Sequence, residues 1–417
     1  MLRQAQHEGL DCSLTLSLSK GEGKGRNLEA PGSKPLTLML ICGEPSGDLL
    51  GAQLMAALKA IAGDGVKIVG VGGEAMAAQG LKSLFPLDAT AVMGFGGILP
   101  RIPEILARVR RAADFAVETR PDAVVLIDSP DFTHRIARRI KRLAPRIATI
   151  NYVAPQVWAS RSWRTRGMAN YLDLVLALLP FEAPFFERYG LRAVFVGHPA
   201  IERAGRMTGG GAFRARHGIA RDAPLLAVLP GSRTGEIRYI LPAFRAAAGL
   251  LAGRVPGLVS VLPTVPHVAA QVAAGTTDWP VPLHIVEGED EKFAAFDAAD
   301  AALAASGTVT TELALSRTPM VVAYKAGWLT AVVAKLLVQV RFATIANLLL
   351  EREAIPEFIQ ERATPQALAD AVVPLLTDKN AAARQVADLD KAMRQLGQGG
   401  EQPSLRAARA ILDFVRR

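Results

Sequence analysis

Acid, hydroxyl and glycine residues recur in this chain where a strand pattern gives way to a helix pattern, and each group suits a particular chemistry. Asp128 and Asp131 stand in Ile127-Asp128-Ser129-Pro130-Asp131-Phe132, with His134 close behind, just past the apolar run 123–127. A carboxylate at a strand end can take the proton of a hydroxyl nucleophile. The plainer reading has Asp131 only capping the helix that follows. Gly43-Glu44-Pro45-Ser46-Gly47-Asp48 follows another apolar run, 36–41. Its glycines allow a tight turn and close backbone approach, and Ser46 or Asp48 can cap the next helix, which leaves Glu44 as a carboxylate with no packing role. Leu229-Pro230-Gly231-Ser232-Arg233 and Ala305-Ser306-Gly307-Thr308 suit a phosphate. Arg233 supplies a planar fork, Ser306, Gly307 and Thr308 open a helix N-terminus, and Glu312, one turn in, is placed for ribose hydroxyls.

Other patterns carry less. Gly70-Val71-Gly72-Gly73-Glu74-Ala75 matches a dinucleotide fingerprint. It falls on the second βα unit rather than the first, however, and Gly80 cuts its helix short. Asp388-Leu389-Asp390 is a literal D-x-D placed in a polar helix, where a solvated face explains it. The Cys and His residues have no zinc spacing, so no metal and no cofactor is expected.

The elements that must hold these loops read as two α/β series. Short apolar or β-branched runs at 36–41, 67–71, 123–127, 148–153, 174–178 and 193–196 alternate with helical patterns, and the cycle restarts at 225–229, 258–262, 283–286, 301–305 and 320–324. That alternation predicts parallel strands joined by crossover helices. Val196-Gly197-His198-Pro199 and a glycine-rich stretch separate the series. The expected organisation is a disordered extension over 1–34, a first α/β domain over 35–200, a second over 201–375, and C-terminal helices over 376–417 that pack back on the first. Open α/β sheets bind ligands outside the carboxyl ends of their strands, so chemistry belongs at strand ends lining the cleft between two facing Rossmann-like domains.

Composition narrows the class. At 417 residues and 50% hydrophobic the chain can build two cores, and two cysteines make no disulfide framework. The longest run without a charge, 255–277, holds three prolines and cannot be a spanning helix, while Lys335 and Arg341 divide 326–350, which reads better as a buried or interfacial helix. Of a net charge of +9, most comes from 101–166, where 14 Lys/Arg face 6 Asp/Glu. Such a patch attracts nucleic acid, anionic lipid or a phosphorylated substrate, or is a set of solvated helix faces. With aromatics at 6% and not interleaved with the arginines, nucleic acid is the weakest of these.

Taken in order, the motifs at 43–48, 128–132, 229–233 and 305–308, with Val153-Ala154-Pro155-Gln156-Val157-Trp158-Ala159, Leu179-Pro180-Phe181-Glu182, Gly197-His198-Pro199 and Pro319-Met320-Val321-Val322, resemble the lipid-A-disaccharide synthase family from about Leu36 to Ala371. The resemblance implies a GT-B type fold and a metal-independent inverting transfer of 2,3-diacylglucosamine from UDP-2,3-diacylglucosamine to the 6-hydroxyl of 2,3-diacylglucosamine 1-phosphate. It also implies peripheral residence on the cytoplasmic face of a Gram-negative inner membrane, an anionic surface; monomer and homodimer both stay open. By the same resemblance Asp131 is the favoured base, with Asp128 and Glu44 as further acids. The UDP-binding set comprises Gly231, Ser232, Arg233, Ser306, Gly307, Thr308, Glu312 and Asn347. Ser46, Asp48, Met93, Gly94, Arg101 and Arg108 fall on the acceptor and membrane side. Two departures from the family pattern stand out: no acid follows Met93-Gly94 until Glu104, and serine occupies position 160 of Trp158-Ala159-Ser160-Arg161.

Overall fold

Runs of Val, Ile, Leu and Ala too short for stable helices become strands, and those at 123–127, 174–177, 225–229 and 301–305, buried throughout, are apolar along their whole length rather than alternating. A computed structural model describes residues 35–87, 102–160, 164–327 and 340–416; the expected extension 1–34 lies outside them. Six strands form the first sheet: β1 (Leu36–Cys42), β2 (Val66–Val71), β3 (Ala123–Ile127), β4 (Ala148–Tyr152), β5 (Leu174–Ala177) and β6 (Ala193–Phe195), in the order β2-β1-β3-β4-β5-β6. The second sheet contains β7 (Leu225–Leu229), β8 (Val259–Thr264), β9 (Leu283–Glu287), β10 (Ala301–Ala305), β11 (Met320–Tyr324) and β12 (Glu357–Ile359), in the order β12-β11-β10-β7-β8-β9. All their pairings are parallel. The edge strand β12 is the one the sequence pattern did not announce, being only three residues long.

Alternate residues of each strand feed opposite cores. In the first sheet, Met39, Ile41, Val124 and Leu126 pack under the helices Ile102–Thr119 and Pro130–Leu143. Leu38, Leu40, Val125 and Ile127 pack under Pro45–Ala62 and, from the far end of the chain, Pro403–Val415. That last helix is tied to the first half by Arg406, which donates to the Phe195 carbonyl at 2.7 Å. Its predecessor Lys379–Leu396 buries Leu389 and Met393 in the core of the second half. No helix among the described residues is long and apolar enough to cross a membrane. Of the stretch 326–350, residues 328–339 are outside the description, and Ile345–Leu350 is helical.

Strand order fixes where ligands can bind. The first sheet turns from β1 toward β2 on one side and β3 on the other. The second turns from β7 toward β8 on one side and β10 on the other. At such a switch the adjacent loops leave in opposite directions and open a crevice at the carboxyl ends. The loops bordering the two crevices are 43–48 with 128–131, and 230–233 with 305–308.

The dinucleotide fingerprint has a structural explanation. Asp48, on the helix Pro45–Ala62, accepts the backbone N–H groups of Gly73, Ala75 and Met76 at 2.7, 2.8 and 3.1 Å, so a carboxylate of the protein itself occupies the N-terminus of the helix Glu74–Ala78. A Cβ at Gly73 would lie 2.7 Å from that carboxylate. The glycine there lets Asp48 in and leaves no room for a pyrophosphate. Asp48, expected from sequence on the acceptor side, is 6% exposed and its carboxylate is engaged by these three bonds within the fold. Asp48→Ala strands three donors, one buried and two part-buried, and is expected to lower unfolding free energy by about 3 kcal/mol, read from urea midpoints, with Asp48→Asn intermediate.

Candidate active site

In the first crevice the loops after β1 and β3 touch. A Cβ on Gly43 would come within 2.7 Å of the Ser129 Cβ, so only glycine permits this approach. Asp128 and Ser129 both adopt left-handed backbone, at φ 53° and 46°. Each costs about 1–2 kcal/mol for a residue with a side chain. The turn is held because Asp128 N–H donates to the Tyr152 carbonyl at 3.0 Å and the Thr133 hydroxyl donates to the Asp128 carbonyl at 2.8 Å. It delivers Pro130 to the first turn of the next helix and leaves Asp131 exposed beside it. The Ser46 hydroxyl donates to Asp128 at 3.3 Å, joining the two loops, and Ser129 Oγ is buried without a partner among the described residues. The helix Pro45–Ala62 begins at Pro45, so Glu44 takes the N-cap position and neither Ser46 nor Asp48 caps it.

Two cavities meet at Asp131. One, of about 560 Å³, also touches Glu44 and is walled by Ile102, Ile105, Leu106 and Phe132. Ile102 and Leu106 are 41% and 36% exposed, large apolar side chains left facing solvent. The other, of about 820 Å³, runs along the same helix past His134, Arg135 and Arg138 to Arg164 and Tyr171. His134 hydrogen-bonds Asn151 Oδ1 at 3.1 Å and the Tyr171 hydroxyl at 3.2 Å. Burial pushes its pKa down to about 4, so the ring is neutral at ordinary pH. Of the residues expected on the acceptor side, Met93, Gly94 and Arg101 lie outside the described residues. Arg108 is spent on the fold: it donates to the Pro86 carbonyl at 2.6 Å and pairs with Glu104 at 2.8 Å.

The second crevice holds a cavity of about 320 Å³ that brings together Gly231, Ser232, Arg233, Ser306, Gly307, Thr308 and Glu312. Glu236 shapes its first loop by accepting the N–H groups of Ser232 and Arg233 at 3.1 and 3.3 Å. Glu312 is buried and already bound on both oxygens, by Lys292 at 2.9 Å and by Arg203 at 3.2 Å. Each carboxylate oxygen retains a second lone pair for a ligand hydroxyl. Lys292 lines the cavity, and sequence reasoning passed over it because it ends the acidic run Glu289-Asp290-Glu291.

Asn347 departs from its expected place. It is 0% exposed, and its amide donates to the Ile355 carbonyl and Glu357 and accepts from Ala354 and Ile355 N–H, all at 2.8–2.9 Å. With every donor and acceptor direction spent, it braces the segment whose Ala343 carbonyl receives the Ser306 hydroxyl and does not itself face the cavity.

Two of the quoted motifs prove to be one device. Trp158 donates to Glu182 at 2.9 Å, and the other Glu182 oxygen accepts Leu178 and Leu179 N–H at 3.0 and 2.9 Å. Burial lifts the Glu182 carboxyl to about 7 against those donors. The Trp158 and Phe181 rings meet edge-on at 4.9 Å and pack against the core of the second half, joining the halves near the first crevice. Among the described residues no three His, Cys, Asp or Glu side chains gather as metal ligands.

Comparison with known proteins adds to this picture. Residues 38–412 match the family model described as lipid-A-disaccharide synthetase. The lipid-A-disaccharide synthase of Rhodospirillum centenum is 47% identical over 382 residues, covering 92% of this chain and 95% of that protein. Among solved structures, S. aureus MnaA with UDP superposes with a TM-score of 0.59 at 14% identity, over 91% of this chain and 96% of that one. Acinetobacter baumannii MurG gives 0.55 at 15% identity, over 92% and 99%. The fold is of the GT-B type.

Proposed function

Because the chain belongs to the lipid-A-disaccharide synthase family, glycosyltransferases of lipid A biosynthesis, we propose that it joins two acylated glucosamine units in a single inverting displacement. The donor is UDP-2,3-diacylglucosamine and the acceptor is 2,3-diacylglucosamine 1-phosphate. The acceptor 6-oxygen forms the new bond to the donor anomeric carbon, the bond from that carbon to UDP breaks, and Asp131 takes the hydroxyl proton. One observation carries the assignment: Asp131 stands on the shared wall of an apolar cavity suited to acyl chains and a basic cavity suited to an anion. Glu44, across the apolar cavity, contributes a polar contact to the acceptor.

In the second crevice, Arg233, Lys292 and the N–H groups that open the helix Thr308–Leu315 meet the charge growing on departing UDP. Preorganised donors of this kind are worth about 3 kcal/mol each. Glu312, held by its two cations, offers its remaining lone pairs to the ribose. Both substrates are acylated and anionic, so the chain works at the cytoplasmic face of the inner membrane, with Ile102 and Leu106 toward the lipid and exposed Arg110 and Arg111 beside them.

The test is UDP release from UDP-2,3-diacylglucosamine. Release is expected only when the diacylated monosaccharide phosphate is added, with one disaccharide formed per UDP. Turnover of the donor at the same rate without acceptor would assign the chain an epimerase-like or hydrolytic reaction instead.

A further inference from the structure

The basic cavity contains more positive charge than a general base needs. Around it stand Arg135, Arg138, Lys141, Arg142 and Arg164, and among the described residues Asp131 is the one acid in its lining. Lys141 is accounted for, paired with Asp173 at 2.7 Å. Arg135, Arg138 and Arg164, like Arg142 in the last turn of the helix, form no ion pair among the described residues, whereas Arg139, on the adjoining side of the same helix, is neutralised by Asp114 at 2.8 Å. Unpaired guanidinium groups gathered in a concavity repel one another and favour an anion among them.

One of the three is aimed in advance. Arg138 donates to the Tyr171 hydroxyl at 3.0 Å and lies over that ring at 4.4 Å. Asn151 donates its own amide to the Val153 carbonyl at 2.8 Å, so its Oδ1 faces His134 Nε2 as an acceptor. The imidazole proton therefore sits on Nε2, and Nδ1 receives the Tyr171 O–H. Each polar group in the chain from Arg138 to Val153 has a partner, and Tyr171, His134 and Asn151 within it are buried. A relay of this kind locks a side chain in one orientation, which is how binding groups are preorganised.

From this arrangement we infer a phosphomonoester subsite, in which Arg135, Arg138 and Arg164 bind the anomeric phosphate of the acceptor. The inference rests on the transfer reaction proposed above. In a glucopyranose the 6-hydroxyl, through its exocyclic carbon, and the anomeric oxygen are carried by the two carbons that flank the ring oxygen, several bonds apart, and the phosphate reaches beyond the anomeric oxygen. With the hydroxyl at Asp131, the phosphate lies farther along the helix, where Arg135 and Arg138 stand about 6 and 10 Å on by helical rise. Planar forks match phosphate oxygens two at a time. The site thereby measures the acceptor: a glucosamine lacking the phosphate leaves three cations unmatched.

The decisive quantity is the ratio of kcat/KM for 2,3-diacylglucosamine 1-phosphate to that for the same sugar without phosphate. In the native enzyme the ratio should be about 30 or more, the factor expected of hydrogen bonds to a charged group. In Arg135→Gln/Arg164→Gln it should drop to about 3 or less. Arg164→Gln alone, at a half-buried position away from the helix, should give an intermediate ratio and guards against misfolding of the double variant. A ratio near one in the native enzyme, or one unchanged in the variants, overturns the subsite. Should the native enzyme use neither acceptor, the transfer reading fails on its own and glucosamine 1-phosphate binding followed by phosphorus NMR decides the subsite: about tenfold weaker binding by the double variant supports it, and equal binding overturns it. Binding to phosphatidylglycerol vesicles should match between native and variant proteins. Loss of vesicle binding with the acceptor ratio preserved would make these arginines a membrane contact and overturn the proposal.

Discussion

Asp131→Asn is expected to lower kcat by about 1,000-fold, within the range a positioned general base supplies, while UDP binding changes less than about twofold. The substitution keeps the shape of the side chain and removes only its capacity to hold the proton. Nothing in the fold depends on that carboxylate: Asp131 is exposed, and its contact with Arg135 is through the backbone carbonyl, at 2.8 Å, which asparagine retains. Asp128 is a different case. Its carboxylate accepts the Ser46 hydroxyl and its backbone sits in a left-handed turn, so it organises the loop from which Asp131 projects. Glu44 shares only the apolar cavity with Asp131. Steady-state kinetics of Asp131→Asn, Asp128→Asn and Glu44→Gln, with calorimetric titration of UDP, separate the three. Were Asp131→Asn to keep a tenth of native activity while either of the others lost it, the base would move to that residue.

What could be read without coordinates follows a physical line. Alternation of short apolar runs with helical patterns announces a parallel α/β fold, because strands buried on both faces must be apolar throughout, and the chemistry-bearing loops sit at the strand ends where such folds bind ligands. Strand order was not legible. It depends on which side each crossover takes, and that choice pairs the 43–48 loop with 128–131 and the 230–233 loop with 305–308. Roles set by tertiary partners were hidden for the same reason. Asp48 looks like a loop acid until its partners on another helix, Gly73, Ala75 and Met76, are in view. Asn347 looks like a ligand residue until its amide is seen to be fully engaged. The basic cavity was half visible, since positions 131, 135, 138 and 142 recur at helical spacing along one face. Only the fold distinguishes that face from a solvated one, by setting the Tyr171 and Arg164 wall opposite it.

Arg233→Ala should lower kcat/KM for the UDP-sugar by about 100- to 1,000-fold, the second large effect, and should weaken inhibition by UDP in parallel. This arginine does little else in the protein. Its side chain is 67% exposed and reaches Glu236 at 3.2 Å, an exposed i,i+3 pair of the kind that contributes about 0.5 kcal/mol or less. The loop itself is shaped by Glu236 accepting the backbone N–H groups of Ser232 and Arg233, contacts that alanine preserves. Lys292 offers no such clean test. Removing it would leave buried Glu312 with Arg203 alone, so lost activity would be mixed with lost stability. Arg233→Lys should recover part of the deficit, since an ammonium keeps the charge but cannot span two phosphate oxygens. Unchanged donor KM and UDP inhibition in Arg233→Ala would remove the arginine from the diphosphate site and leave Lys292 and the start of the helix Thr308–Leu315 to meet the leaving-group charge. An effect on kcat with UDP affinity intact would mean that the guanidinium engages the diphosphate only as the glycosidic bond breaks, so that its binding energy is used in the transition state alone.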